Sequence, residues 1–390
     1  MQDHSPQTSR RTRTTLHAVF ALTGFVHAIG GPLLPSLNRT FHLTDSEAGL
    51  LFLVYFGGSS IGALFCRGNY TRAMTAGFAG MGFFALGISA ASRPLLLPMY
   101  FLLGICVGVA MSAVSLFAGR NFPNSSAPLL TILNFSWSAG ALTAPMLAAQ
   151  ILRHHGYRVA YLCIAFACLM SAFACRRLLA DAKEVPRSQA AASPFSNLRL
   201  VALFSLLAFL QVGVENTASV WLTTYMLRVG DTNIVKSAAS SSLFWFGFLA
   251  SRAFSAVVLL RTQLDLLLRY SIIVALCAAL LLIVSHQFVV TSGAMLLLGI
   301  ALAPIYPLVV AASIIGLSRT SDTRFVLAAA GIGGSILPWM TGWISALTQD
   351  IRLAMTTVPT CLVLMMFCLR STRKSLDGSG CEGRDGKLLT

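Results

Sequence analysis

The stretch from Arg176 to Asn197, RRLLADAKEVPRSQAAASPFSN, is the longest polar interruption between apolar segments of the chain. It carries Asp181, Lys183, Glu184, Pro186 and Arg187, followed by a run rich in Ser and Ala. Such a composition neither crosses a bilayer nor builds a core. On both sides lie apolar runs of about 20 residues, the length an α-helix needs to cross about 30 Å of hydrocarbon. Working outward, six candidate helices precede it, at about 15–37, 46–66, 72–91, 94–119, 127–151 and 157–180. Six follow, at about 198–228, 236–260, 265–285, 288–317, 323–347 and 352–370. The expected organisation is an all-α membrane protein: a tail over 1–14, a six-helix bundle over 15–180, a linker over 181–197, a second six-helix bundle over 198–370, and a tail over 371–390.

Composition agrees with this division. The 390 residues are 56% apolar and 11% charged, against about 45–50% and about 25% in soluble proteins. With a mean hydropathy of +0.75, a water-soluble enzyme is excluded. The 28 Lys and Arg outnumber the 13 Asp and Glu, which in a soluble protein would suggest nucleic acid. Here location decides. If the N-terminus is cytoplasmic, 21 of the 28 basic residues fall in inside segments, the bias that orients membrane helices. Both termini and the linker are therefore expected in the cytoplasm of a multi-pass inner-membrane protein, with no nucleic-acid partner. Arg10, Arg11 and Arg13 precede an apolar run as in a secretory signal. That run continues through Gly30-Gly31-Pro32-Leu33-Leu34-Pro35 without a small-residue cleavage site, so it is read as the first helix. The nine cysteines show no paired spacing and are expected to pack rather than form disulfides or a metal site. Phosphate-loop, zinc-protease and nucleophile-elbow motifs are absent. No cofactor, no metal and no enzymatic activity are expected, and the chain is expected to work as a monomer.

The two halves echo each other. Leu102-Leu103-Gly104-Ile105 recurs as Leu297-Leu298-Gly299-Ile300, Tyr55-Phe56-Gly57 as Trp245-Phe246-Gly247, and the spacing of Gly140 and Pro145 as that of Gly333 and Pro338. Offsets of 190 to 195 between the copies suggest a duplicated six-helix unit. Two such units around a cytoplasmic linker resemble a major facilitator secondary transporter.

The resemblance narrows along the chain. Leu33-Leu34-Pro35-Ser36-Leu37, Phe41-His42-Leu43-Thr44, Ala48-Gly49-Leu50-Leu51 and Tyr55-Phe56-Gly57-Gly58 are similar to the opening of the fucose–galactose–glucose:proton symporter family. Gly213-Val214-Glu215, Trp221-Leu222-Thr223-Thr224-Tyr225, Ala303-Pro304-Ile305-Tyr306-Pro307, Gly333-Gly334-Ser335 and Pro338-Trp339 extend the likeness into the second half. The resemblance implies proton-coupled uptake of a monosaccharide by alternating access. The chain also departs from it. Gly31 stands where the family's fucose permease has an acid before Leu-Leu-Pro, the fourth segment has no acid, and the loop motif running from Gly62 to Cys66-Arg67 has lost its Asp. The coupling residues of that permease therefore do not transfer.

The residues themselves offer candidates. Glu215 is the carboxylate deepest inside a candidate span. Ionised and facing lipid it would cost roughly 2.5–3.5 kcal/mol, so it is expected to face a polar cavity as a proton carrier, or to be a carboxyl satisfied by neighbouring helices. Gln211, four residues earlier, shares its helix face, and Asn216 lies about 100° further round. Carboxamides both donate and accept, as a hydroxyl-rich ligand requires; Asn134 is a third. Each could instead join helices. Trp137 and Trp339 could stack on the apolar face of a sugar ring, or anchor at the lipid interface, which Trp343 suits better. His27, mapped by the repeat to position 217, could exchange protons with Glu215 or be a satisfied core histidine. Tyr306, between Pro304 and Pro307, could gate or contact a ligand where prolines free backbone carbonyls. The expected partners are a sugar, a proton and the lipid bilayer. A proton-driven exporter of amphipathic compounds is the alternative; a membrane sensor lacks any signalling domain in this sequence.

Overall fold

The computed structural model describes residues 6–66, 68–122, 126–178, 198–230, 232–259, 263–317 and 322–378. The linker expected at 181–197, Arg67 and the ends of both tails lie outside these residues. The described chain is helical: α1 Pro6–Phe41, α2 Asp45–Phe65, α3 Tyr70–Ala90, a 3₁₀ turn Arg93–Leu95, α4 Leu96–Asn121, α5 Ser126–His154, α6 Tyr157–Leu178 and α7 Leu198–Val229. There follow α8 Ile234–Leu259, α9 Leu264–Val284, α10 Phe288–Leu302, α11 Ile305–Gly316, α12 Thr323–Thr348, α13 Ile351–Met355 and α14 Thr357–Gly378. Among the described residues, ten stretches are long and apolar enough to cross a membrane. The other two of the twelve, α5 and α8, carry Asn134, Ser136 and Ser138, and Ser240, Ser241, Ser242 and Arg252. Helices are what hydrocarbon demands, because each satisfies its own backbone hydrogen bonds.

All twelve candidates are helical, with three differences. The first helix begins at Pro6 rather than near 15 and runs unbroken through Pro32 and Pro35. The tenth is interrupted, α10 ending at Leu302 and α11 starting at Ile305. Pro304 and Pro307 lack the N–H groups that would bond the carbonyls of Ile300 and Ala303, and the break falls at them; Pro32 and Pro35, at the same spacing, leave α1 continuous. The twelfth opens with the short α13 and ends at Gly378 rather than near 370.

The chain packs as two units: Met1–Leu43, Leu50–Ser188 and Ile234–Ser242 form one, and Thr44–Gly49, Gln189–Asn233 and Leu243–Thr390 the other. Glycine governs both in the same way. In the first unit a Cβ on Gly24 would run into the Trp137 carbonyl and one on Gly140 into the Ala21 carbonyl, so α1 and α5 meet backbone to backbone. Gly104 similarly sits against the Tyr55 carbonyl and Gly58 against that of Phe101, which joins α2 to α4. In the second unit Gly333 abuts the Phe209 carbonyl, joining α12 to α7, while Gly299 and Gly247 abut the Phe244 and Leu296 carbonyls, joining α8 to α10. Small residues that let backbones touch are the usual means of helix association in lipid, where apolar burial offers little drive.

These contacts correct the register of the repeat. Gly58, rather than Gly57, is the counterpart of Gly247, an offset of 189 between α2 and α8. In α1 and α7 the carbonyls that meet Gly140 and Gly333 are those of Ala21 and Phe209, an offset of 188, so His27 maps onto Glu215 rather than onto position 217.

Candidate functional site

In the second unit, α7 is the organising element. From Leu210 to Met226 nearly every residue is buried, including Gln211, Glu215, Asn216, Thr217, Ser219, Thr223 and Thr224. A helix polar on several faces is stable in lipid only if its neighbours answer it, and the broken helices supply the answer. Gln211 Nε2 donates to the Leu302 carbonyl at 3.0 Å, at the break between α10 and α11. Its Oε1 is buried without a hydrogen-bond partner, an acceptor still available. Asn216 Nδ2 donates to the Gly334 carbonyl at 3.0 Å. That carbonyl lies four residues before Pro338, which has no N–H to bond it. Trp221 Nε1 donates to the Pro338 carbonyl at 2.9 Å, and the Tyr225 hydroxyl to the Leu282 carbonyl at 2.6 Å.

Glu215 is 8% exposed. Within its electrostatic reach lie Arg252 of α8 and Tyr306 of α11. The Arg252 guanidinium also stands 4.5 Å over the Phe248 ring. A carboxylate, a guanidinium and a phenol thus come together next to the proline break, a cluster whose charges cancel when both groups are ionised. Arg252 was missed in the sequence because a basic residue near the end of the segment 236–260 reads as an orienting charge. Trp339 is half-buried, with its carbonyl against α2 at Gly49. Trp343 is 47% exposed, and Trp245 is buried against Phe244 and Phe248.

In the first unit, His27 lies between Phe56 and Trp137, with ring centroids 5.1 Å from each. Trp137 is buried at 6% exposure. Asn134, one turn before it, is exposed and donates to the Leu130 carbonyl of its own helix. Behind His27 lies a cavity of about 10 Å³ lined also by Gly30, Phe52, Tyr55, Tyr100 and Tyr161. It has room for about one water molecule and none for a hexose. The Tyr100 and Tyr161 hydroxyls are 2.5 Å apart, and Tyr55 donates to the Val26 carbonyl at 3.4 Å. The structure thus groups the candidates as His27 with Trp137, and as Glu215 and Tyr306 with Gln211 at the break. No group of His, Cys, Asp or Glu suited to a metal ion occurs among the described residues. The eight described cysteines are free thiols.

A duplicated helical unit, glycine-mediated helix crossings, a proline-broken helix and one acid deep in a span define a multi-pass membrane transporter. The model of the Major Facilitator Superfamily matches residues 16–315, and the chain belongs to that superfamily, as a transporter and not an enzyme. It is 26% identical over 402 aligned residues to the glucose/mannose transporter GlcP of Bacillus subtilis (strain 168), covering 95% of this chain and 97% of that protein. It is 24% identical to the glucose/galactose transporter of Brucella abortus biovar 1 (strain 9-941), covering 84% of this chain and 86% of the other. Among solved structures, a bacterial homolog of the human lysosomal transporter Spinster superposes with a TM-score of 0.75 at 15% identity, covering 96% of this chain and 99% of that one.

Proposed function

We propose that this protein is a sugar transporter that takes up a glucose-, galactose- or fucose-like monosaccharide together with a proton by alternating access, across a bacterial inner membrane. Both termini face the cytoplasm in this reading, on the strength of the charge bias. The observation that carries the reading is likeness from end to end: the alignment with the glucose/mannose transporter leaves almost nothing of either chain uncovered. In the second unit Glu215 is the proton carrier, because a carboxyl buried deep in a span marks a proton path, and it lies within electrostatic reach of Arg252 and Tyr306. Gln211, with its unused acceptor, and Tyr306 contact the sugar there, with Asn216 and Trp339 on the adjoining helix faces. In the first unit Trp137 offers its ring, Asn134 its amide, and His27 tunes the protonation chemistry.

The test is pH-driven uptake of glucose, galactose and fucose by proteoliposomes containing the Glu215→Gln variant, beside counterflow in the same vesicles. Gln keeps the shape and hydrogen bonding but cannot ionise. Accumulation should vanish while counterflow persists. A variant that still concentrates sugar removes Glu215 from coupling; wild-type protein that moves no monosaccharide but expels a hydrophobic cation replaces uptake with export.

A further inference from the structure

The first unit holds a row of buried tyrosines. Tyr157 opens α6, next to the exposed Gly156, and Tyr161 follows one turn on. The row continues to Tyr100, one turn into α4, and to Tyr55 of α2, with ring centroids 6.4 Å apart at each of the three steps. Their hydroxyls are within one another's electrostatic reach. The row runs from the end of the unit where α6 begins to the cavity that His27 lines in α1.

Packing does not account for the hydroxyls. Gly104 meets the Tyr55 carbonyl as Gly299 meets that of Phe244, so in the second unit Phe244 stands in the place of Tyr55, and Met295 in that of Tyr100. Both are fully buried, and neither has a hydroxyl. A buried hydroxyl costs stability unless it is bonded, and here the protons outnumber their acceptors. Tyr100 and Tyr161 share one bond at 2.5 Å, which uses one of their two protons. The other has no acceptor among the described residues, and the buried Tyr157 hydroxyl has no partner there at all. The cavity beside the pair, about 10 Å³ and closed by Tyr55 and His27, takes one water.

His27 gives the row an end. In the register of α1 and α7 it holds the place of Glu215. From Pro6 to Leu178 the acids are Asp45 and Glu47, both in the first turn of α2, and the arginines of α1, α4, α5 and α6 stand near helix ends. His17, nearer the N-terminus, bonds Ser136 at 2.9 Å, and His154 ends α5. Among the described residues at its depth, His27 is therefore the group that can take up a proton near neutral pH. We propose that Tyr157, Tyr161, Tyr100 and one water in the cavity form a proton relay between the α6 end of the first unit and His27. Each oxygen accepts a proton on one side and releases its own on the other. O–H bonds form and break in equal number, nothing is oxidised, and the proton ends on the imidazole as one new N–H bond. The reverse order unloads it. Because the cavity holds one water and no more, a slight closing cuts the row, so the relay need not short-circuit transport. The inference rests on the proposed proton-coupled uptake and adds a path to it, with no tyrosine in contact with sugar.

Two measurements test it. The first needs no sugar: infrared difference spectra follow the His27 imidazole after a pH drop outside sealed proteoliposomes, with His27→Gln as the blank. Tyr157→Phe removes a hydroxyl that has no bond among the described residues, and Tyr100→Phe with Tyr161→Phe removes both ends of one bond, so both proteins should melt close to wild type. Gly30→Ala keeps every hydroxyl but sets a methyl against the Phe52 ring at the cavity wall. Each of the three should slow protonation of His27 by about 100-fold, the low end of what a positioned proton carrier contributes. Wild-type rates in all three overturn the relay, and so does a wild-type His27 that takes up no proton. The second measurement is transport. Uptake of glucose driven by a pH gradient should fall in all three variants, while counterflow, which moves no net proton, keeps its wild-type rate. Equal loss of both assigns the hydroxyls to packing and overturns the relay. If the wild type moves no glucose, the proposed substrate falls, and the infrared measurement alone decides the relay.

Discussion

Removing the amide of Asn216 tests the account of α7 most directly. Asn216 Nδ2 reaches the Gly334 carbonyl at 3.0 Å, and a Cβ on Gly334 would lie 2.6 Å from that nitrogen, so glycine makes the approach possible. The carbonyl needs the donor because Pro338 stands four residues on. In Asn216→Ala it is left without either. Hydrogen bonds between membrane helices are worth about 0.6 kcal/mol on average and at most about 1.7. Here the acceptor has no alternative partner in its own helix, and orphaning a buried carbonyl costs about 1–3 kcal/mol. A loss of about 1.5 kcal/mol, near the top of the first range, is expected. Truncating a buried side chain also leaves a void, which confuses the single variant. The double-mutant cycle with Pro338→Ala removes that ambiguity, because alanine in place of Pro338 restores an N–H to the Gly334 carbonyl while the void is common to both backgrounds. Asn216→Ala should then cost about 1 kcal/mol less in the Pro338→Ala protein, roughly a fivefold difference in the unfolding constant. Steric-trap unfolding in bicelles can read this. An equal cost in the two backgrounds would refute the pairing of amide and freed carbonyl. The same four proteins separate packing from ligand contact: if Asn216 touches sugar, affinity falls in both backgrounds alike.

Gly104→Val and Gly299→Val should abolish the monodisperse peak in fluorescence size-exclusion chromatography, since each Cβ meets a backbone carbonyl, of Tyr55 and of Phe244, that cannot step aside. Gly119→Val and Gly293→Val, which meet nothing within 4 Å, should elute as wild type, and loss of folding in these controls would show that valine alone is harmful. Tyr100→Phe should lower stability by about 1 kcal/mol by orphaning the Tyr161 hydroxyl, and the double variant with Tyr161→Phe should recover most of it; additive losses in thermal melts would exclude a mutual bond. A cysteine placed at Ser188 should stay unlabelled by an impermeant reagent in intact cells, and labelling would invert the topology.

Much of this molecule is legible along the chain. Twelve apolar runs, a polar break at Arg176 to Asn197, an imbalance of charge and a coarse repeat determine the fold class, because hydrocarbon leaves helices as the main way to satisfy a backbone. Glu215, Gln211 and Tyr306 stood out for the same reason: polarity in a bilayer is costly and so conspicuous. Pairing is a different kind of information. Asp45 and Ser345, bonded at 2.6 Å, are 300 residues apart, and neither looks unusual beside Thr44 or Thr348. Arg252 read as a loop charge until α8 carried it within reach of Glu215. His27 mapped two positions off until glycine contacts fixed the register of the repeat. Asn216 has both traits. Its type and depth mark it as a polar group needing a partner, but which carbonyl it meets depends on a proline 122 positions away. Transfer cost is a property of one residue in its local stretch, so sequence alone settles it. Which donor meets which acceptor depends on how helices cross, and only the tertiary structure decides that.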